Sequence, residues 1–285
     1  SGRQWENDPC HRSGESGMAQ AARKIENDDN PDTQDDEHSS VTFVHLACSG
    51  ASIRHLMDTT YSGVTGGGFE NPQLFQLRSI IGDRDVDVVL ITAGINDIRF
   101  GDVLKHCLVY PECDLVRFEG KTLIQFLNEG LAALEESYDR LDQYLEALKI
   151  PSSKVRLIEY PDPSVGFGGE TCGYLGISSG EMTFLKGHLL DPLNAAGVAA
   201  AGAAGWTRIG GIASQFQSHG LCSGNQSWMV GIFESFAKQR SPAGGFHPNY
   251  TGHGVIANAV LPEIPTDGGL GARVGAASFP QVGSF

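Results

Sequence analysis

Four short stretches of the chain read as strands: VTFVHLA at 41–47, VDVVLIT at 86–92, VRLIEY at 155–160 and WTRIGGIA at 206–213. The first three are β-branched and almost wholly apolar, the pattern of parallel strands buried on both faces rather than of strands with one wet face. Helical patterns lie between them. MAQAARKIE begins at Met18, NPQLFQLRSII at Asn71, a long amphipathic run at Thr122 and the alanine-rich LNAAGVAAAGAAG at Leu193. In the Thr122 run, Leu123, Phe126, Leu127, Leu131, Leu134, Tyr138, Leu141, Tyr144 and Leu145 recur at helical spacing, which marks a core-facing stripe. Alternation of strand and helix predicts a three-layer α/β/α sandwich around a mostly parallel sheet, with ligands at the carboxyl ends of the strands. No period repeats, which excludes solenoids and propellers.

Length and composition change this picture little. A chain of 285 residues suits one large domain, expected over 1–265, with a glycine-rich tail at 266–285. The formal charge of -14 argues against nucleic acid or an anionic membrane surface as a partner. Part of that charge sits in ENDDNPDTQDDEHSS at 26–40, which reads as a solvated loop. No apolar run reaches the roughly 20 residues that cross a bilayer, and none reads as a signal peptide. The six cysteines include no CxxC pair, so zinc-type spacing is absent and disulfides in an oxidising compartment are expected. An exported chain of this sequence is therefore expected to be a processed or trimmed form, with no metal and no cofactor.

Chemistry concentrates after the predicted strands. In TAGINDIRF, from Thr92, Asn96 stands where a side-chain amide can donate to a developing oxyanion, although Asn96 or Asp97 would equally cap the next helix. In ACSGAS, from Ala47, Gly50 either offers an unobstructed backbone N–H to the same oxyanion or simply makes the turn. In GGFHPNYTGHG, from Gly244, His247 is a loop histidine before an apolar helical segment at 254–261, suited to general-base work but also to a structural role. His11, His45, His219 and His253 are read as local or structural, and Asp162 and Glu234 as surface carboxylates.

Taken in order, DPCHRSGES, ACSGA, AGINDIRF, FQSHGLC and FHPNYTGHG resemble the SGNH (GDSL-type) hydrolase superfamily. Within it they resemble the secreted, disulfide-bonded esterases and lipases of the Streptomyces type. The resemblance spans nearly the whole chain. It implies a flavodoxin-like sheet, an oxyanion hole from Gly50 and Asn96, His247 as base, and disulfides Cys10–Cys48, Cys107–Cys113 and Cys172–Cys222. It further implies a small ester or lipid substrate and an extracellular location. Most of that superfamily carries an Asp three residues before the histidine; Gly244 stands there, and its backbone carbonyl is expected to orient the imidazole instead.

One block departs from the pattern. The resemblance implies a nucleophilic serine in a Gly-Asp-Ser block on a first strand, and no Gly-Asp-Ser occurs in the sequence. The nucleophile strand has been removed or resides on a separate fragment; or the domain is permuted, with Ser278 or Ser284 as nucleophile; or the chain is a binding module that has lost its chemistry. Whether water or an alcohol would take the acyl group is not written in these motifs.

Overall fold

The computed structural model describes residue 7 and residues 9–28, 41–64 and 68–265. In chain order the elements are α1 (Gly17–Asp28), α2 (Ile53–Met57), α3 (Gln73–Ile81), β1 (Val89–Ile91), α4 (Phe100–Val109), α5 (Leu123–Ala147) and β2 (Val155–Ile158). They continue with α6 (Ser179–Leu185), α7 (Asp191–Ala204), β3 (Thr207–Ile209), α8 (Ile212–Gln215), α9 (Ile232–Gln239) and α10 (Tyr250–Val260). The sheet is parallel in the order β1-β2-β3, with Leu90 opposite Arg156 and Leu157 opposite Arg208. The chain is an α/β protein, as the alternation predicts.

Two cores lie on opposite faces of that sheet. Val155 and Leu157 of β2 point into a core built with Leu134 and Leu141 of α5 and Leu193 of α7. Ile158 and Ile209 point the other way, against Ile212 of α8 and Ala257 and Val260 of α10. Successive strand residues face opposite sides, so an unbroken apolar run feeds both cores at once. The long helix starts where Thr122 Oγ1 accepts the Gln125 N–H at 3.3 Å while the Gln125 side-chain oxygen accepts the Thr122 N–H at 3.2 Å. Its buried residues, Leu123, Leu127, Leu134, Tyr138, Leu141 and Leu145, follow the predicted stripe.

Disulfides join Cys10 to Cys48, Cys107 to Cys113 and Cys172 to Cys222. Two predicted strands depart from the expected architecture: the fourth, expected over 206–213, ends at Ile209, and its last residues, Ile212 and Ala213, open α8 after the left-handed Gly211; the first forms no strand at all. Residues 41–48 form no strand, and no ladder joins them to a neighbouring strand among the described residues. Strand formation requires a partner edge as well as an apolar run, and among the described residues no strand pairs with this run. Among the described residues no helix is long and apolar enough to cross a membrane.

Candidate active site

Three loops line one cavity of about 2230 Å³: the turn at Gly50, the turn at Asn96 at the carboxyl end of β1, and the loop carrying His247. Each is held by its own local chemistry. Gly50 lies in the left-handed region at φ 80°, and a Cβ there would stand 2.5 Å from Tyr61 Oη, so only glycine fits. That phenol donates to the Ser49 carbonyl at 2.7 Å and pins the turn. Gly94, at φ 117°, admits Tyr138 Oη, which donates to the Ala93 carbonyl at 2.6 Å and supports the turn leading to Asn96.

Asn96 does not cap the following helix. Its Nδ2 donates to the Ala51 carbonyl at 3.0 Å, which ties the Asn96 turn to the Gly50 turn and leaves the second amide hydrogen unspent. The capping work falls to Asp97, whose two carboxylate oxygens accept the Ile53 N–H at 3.2 and 3.1 Å, at the start of α2. Burial raises the Asp97 pKa to about 6, against the lowering effect of that hydrogen bond.

His247 sits in a loop shaped by α9 and a short 3-10 turn, Pro242–Gly244. The preceding Phe246 is left-handed at φ 64°, a strained conformation for an aromatic residue. Main-chain bonds hold the strain: Phe246 N–H donates to the Val230 carbonyl at 2.9 Å, and Val230 N–H donates to the His247 carbonyl at 2.8 Å. Beyond the proline, Asn249 caps α10 by accepting the Gly252 N–H at 3.1 Å and donates to the Ser227 carbonyl at 2.7 Å.

The ring bond goes to the Gly245 carbonyl, one residue beyond the Gly244 carbonyl expected to orient the imidazole, and both carbonyls favour the protonated ring. His247 Nδ1–H donates to the Gly245 carbonyl at 3.0 Å, while the Gly244 carbonyl accepts the His247 main-chain N–H at 3.3 Å. The Pro242–Gly244 turn faces Gly244 towards α9, where its own N–H donates to Ser235 Oγ at 3.0 Å. A Cβ at Gly244 would lie 2.7 Å from that oxygen, so a carboxylate-bearing residue has no room there. With its proton on Nδ1, the imidazole presents a bare Nε2. Desolvation lowers the His247 pKa, opposed by the hydrogen bonds to the Gly245 and Gly244 carbonyls. The residue is open to the cavity, which moderates the lowering.

His253, His219, Asp162 and Glu234 each have their own partners. His253 Nδ1 accepts the Gly17 N–H at 3.2 Å, and burial lowers its pKa to about 4. His219 donates to the Gln226 carbonyl at 2.8 Å and stacks on Trp228 with ring centroids 3.7 Å apart. Asp162 is buried rather than on the surface: it pairs with Lys186 at 3.1 Å and accepts the Ser164 N–H at 2.8 Å. Glu234 pairs with Lys238 at 2.6 Å. Among the described residues no hydroxyl is hydrogen-bonded to His247 Nε2, and Ser278 and Ser284 lie outside them. Ser235, Tyr61 and the Gly245 carbonyl support the site without any sequence signal, because each acts through contacts far along the chain or through the backbone.

No protein-family model matches the chain. No curated protein matches it either. Among solved structures it shares its fold with two Streptomyces enzymes. A phospholipase A1 from Streptomyces albidoflavus NA297 superposes with a TM-score of 0.60 at 22% identity, covering 90% of this chain and 89% of that one. An extracellular lipase from Streptomyces rimosus gives a TM-score of 0.59 at 20% identity over 92% of each chain. The resemblance read from the motifs therefore holds at the level of the fold, across nearly the whole chain.

Proposed function

We propose that this chain carries the base and oxyanion hole of a secreted carboxylic-ester hydrolase of the SGNH type, acting on lipid or small esters. The observation that carries the reading is that Gly50, Asn96 and His247 all line one cavity, with His247 Nε2 left bare. A serine placed there loses its proton to Nε2 as its oxygen attacks the ester carbonyl. The tetrahedral oxyanion takes the Gly50 N–H and the unspent Asn96 amide hydrogen, contacts worth on the order of 3 kcal/mol each in hydrolases where one was removed. The imidazolium then protonates the leaving alcohol, and water repeats the sequence on the acyl-enzyme. The Gly245 carbonyl fixes the tautomer but stabilises the imidazolium less than a carboxylate would. The disulfides fit an extracellular location, and the two enzymes that share the fold are a phospholipase A1 and a lipase.

The test is hydrolysis of p-nitrophenyl butyrate and of phosphatidylcholine, with fluorophosphonate labelling alongside. Substitution His247→Ala is expected to lower the rate by about 10³-fold or more; an unchanged rate overturns the assignment. The second reading is a non-catalytic module that binds carbohydrate or protein through the same cleft. It is favoured by the lack of a hydroxyl bonded to His247 Nε2 among the described residues. Neither hydrolysis nor labelling, with retained binding of such a ligand, would establish it.

A further inference from the structure

The helix that shapes the His247 loop carries its aromatic residues on the outside. A surface helix ordinarily turns its apolar side chains to the core. In α9 only Ile232 does so, and the one buried residue is a serine. Ser235 is fully buried, where its Oγ donates to the Ser241 carbonyl and accepts from the Gly244 N–H. The two phenylalanines of the helix face solvent instead, Phe233 being 72% and Phe236 61% exposed. They stand three residues apart and so share one stripe of the helix, which the exposed Ala237 and Arg240 continue. Next to that stripe, Glu234, Ala237 and Lys238 line the cavity that holds His247, so the phenylalanines border its mouth. Tyr250, three residues beyond His247, lines the same cavity and is 63% exposed.

We infer that Phe233 and Phe236 form a docking face that seats the chain on a zwitterionic phospholipid surface, with both rings inserted among the acyl chains and the cavity mouth turned to the lipid. Charge selects this occupant. The whole chain carries -14, yet between residues 209 and 262 the only charged side chains are Glu234, Lys238 and Arg240. Glu234 pairs with Lys238 at 2.6 Å. This part of the chain therefore has none of the excess acid that would repel phosphate, and Arg240 ends the stripe where headgroup phosphates would lie. An anionic surface remains disfavoured by the charge of the whole. Area argues against a protein partner or a second copy. At those exposures the two phenylalanines present roughly 300 Å², well short of the roughly 800 Å² that each side of a stable protein interface buries. Insertion into lipid needs no such area, because each ring transferred to hydrocarbon contributes by itself. Tyr250 suits the boundary, with an apolar ring and a hydroxyl that stays wet. The choice of lipid over other apolar partners rests on the hydrolase reading above, which this face deepens: the ester reaches His247 from an assembled lipid surface.

Sedimentation of the disulfide-bonded chain with sucrose-loaded phosphatidylcholine vesicles tests this face. The chain is expected to sediment with the vesicles, and the double substitution Phe233→Ser, Phe236→Ser to weaken that partitioning by at least about tenfold. Both positions are exposed, so the thermal midpoint is expected to be unchanged. A separate substitution, Phe236→Trp, is expected to add fluorescence that phosphatidylcholine brominated on its acyl chains quenches. No sedimentation of the parent chain, equal sedimentation of the double variant, or no added quenching from position 236 overturns the inference. Binding confined to phosphatidylglycerol vesicles, which marks a charge effect, overturns it as well. So does self-association that the double substitution abolishes in the absence of vesicle binding, which identifies a second copy as occupant. Activity separates the two proposals. Vesicle binding that depends on Phe233 and Phe236, with neither ester hydrolysis nor fluorophosphonate labelling, leaves the docking face standing and the hydrolase reading failed; hydrolysis of p-nitrophenyl butyrate without vesicle binding does the reverse.

Discussion

As the proposed base, His247 would report its role through pH. A base must be neutral to accept a proton, and desolvation holds this imidazole below the ordinary histidine value of 6.5. The acid limb of kcat/KM for p-nitrophenyl butyrate is therefore expected to have its midpoint below 6.5; a midpoint at or above 7 contradicts the assigned environment. Gly244 makes the complementary prediction. Introducing the carboxylate usual at that position, Gly244→Asp, pushes into Ser235 Oγ, a buried hydroxyl that donates to the Ser241 carbonyl at 2.6 Å and accepts from Gly244 N–H. Urea unfolding is expected to show a loss of about 1–3 kcal/mol, with no gain in rate. His247 and Asn96 were legible in the sequence because their chemistry lies in their own side chains. The choice of Gly245 over Gly244 was not legible, because a turn geometry selects between two identical residues.

At the scale of elements, the α2 start depends on a buried acid. Asp97 has a pKa of about 6 in the fold against 3.8 for an unperturbed aspartate, a difference on the order of 3 kcal/mol. Because the folded value is the higher one, this contribution to stability is full below about pH 4 and is lost as pH rises through about 6. Asp97→Asn keeps an oxygen for the Ile53 N–H and removes the titration. Unfolding free energy measured from pH 4 to 7 is expected to lose that downward component, and an unchanged profile refutes it. His253, which joins α10 to the start of α1, acts oppositely: its folded pKa of about 4 gives stability that is full above about 6.5 and fades as pH falls towards 4. The helices predicted from Met18, Asn71, Thr122 and Leu193 are found as α1, α3, α5 and α7, since apolar periodicity is local information. Residues 41–47 carry an equally good strand pattern and form no ladder among the described residues, since pairing is not local.

At the scale of the molecule, the disulfides cross-link segments that the sheet does not. Cys10–Cys48 closes a separation of 38 residues and fastens the segment at 41–48 to the N-terminal end of the described fold. Loop entropy alone assigns such a link on the order of 4 kcal/mol. Replacing both cysteines by serine is expected to lower the thermal midpoint by several degrees and to raise exchange across residues 41–48 more than across α5. Uniform loosening would show that the link does not specifically hold this segment.

The sequence by itself determined the fold class, the positions of the main helices and of three strands, and a set of side chains suited to ester chemistry. Strand and helix periods, turn glycines and functional groups are all written within a few residues of where they act. Tertiary structure alone decided which carbonyl orients His247, that Asp97 rather than Asn96 caps a helix, and that a hydroxyl on α9 fills the space of the usual acid. It also decided that residues 41–47 enter no ladder among the described residues. These outcomes depend on groups far apart in the chain competing for the same hydrogen bonds and the same volume, and only the folded packing settles that competition.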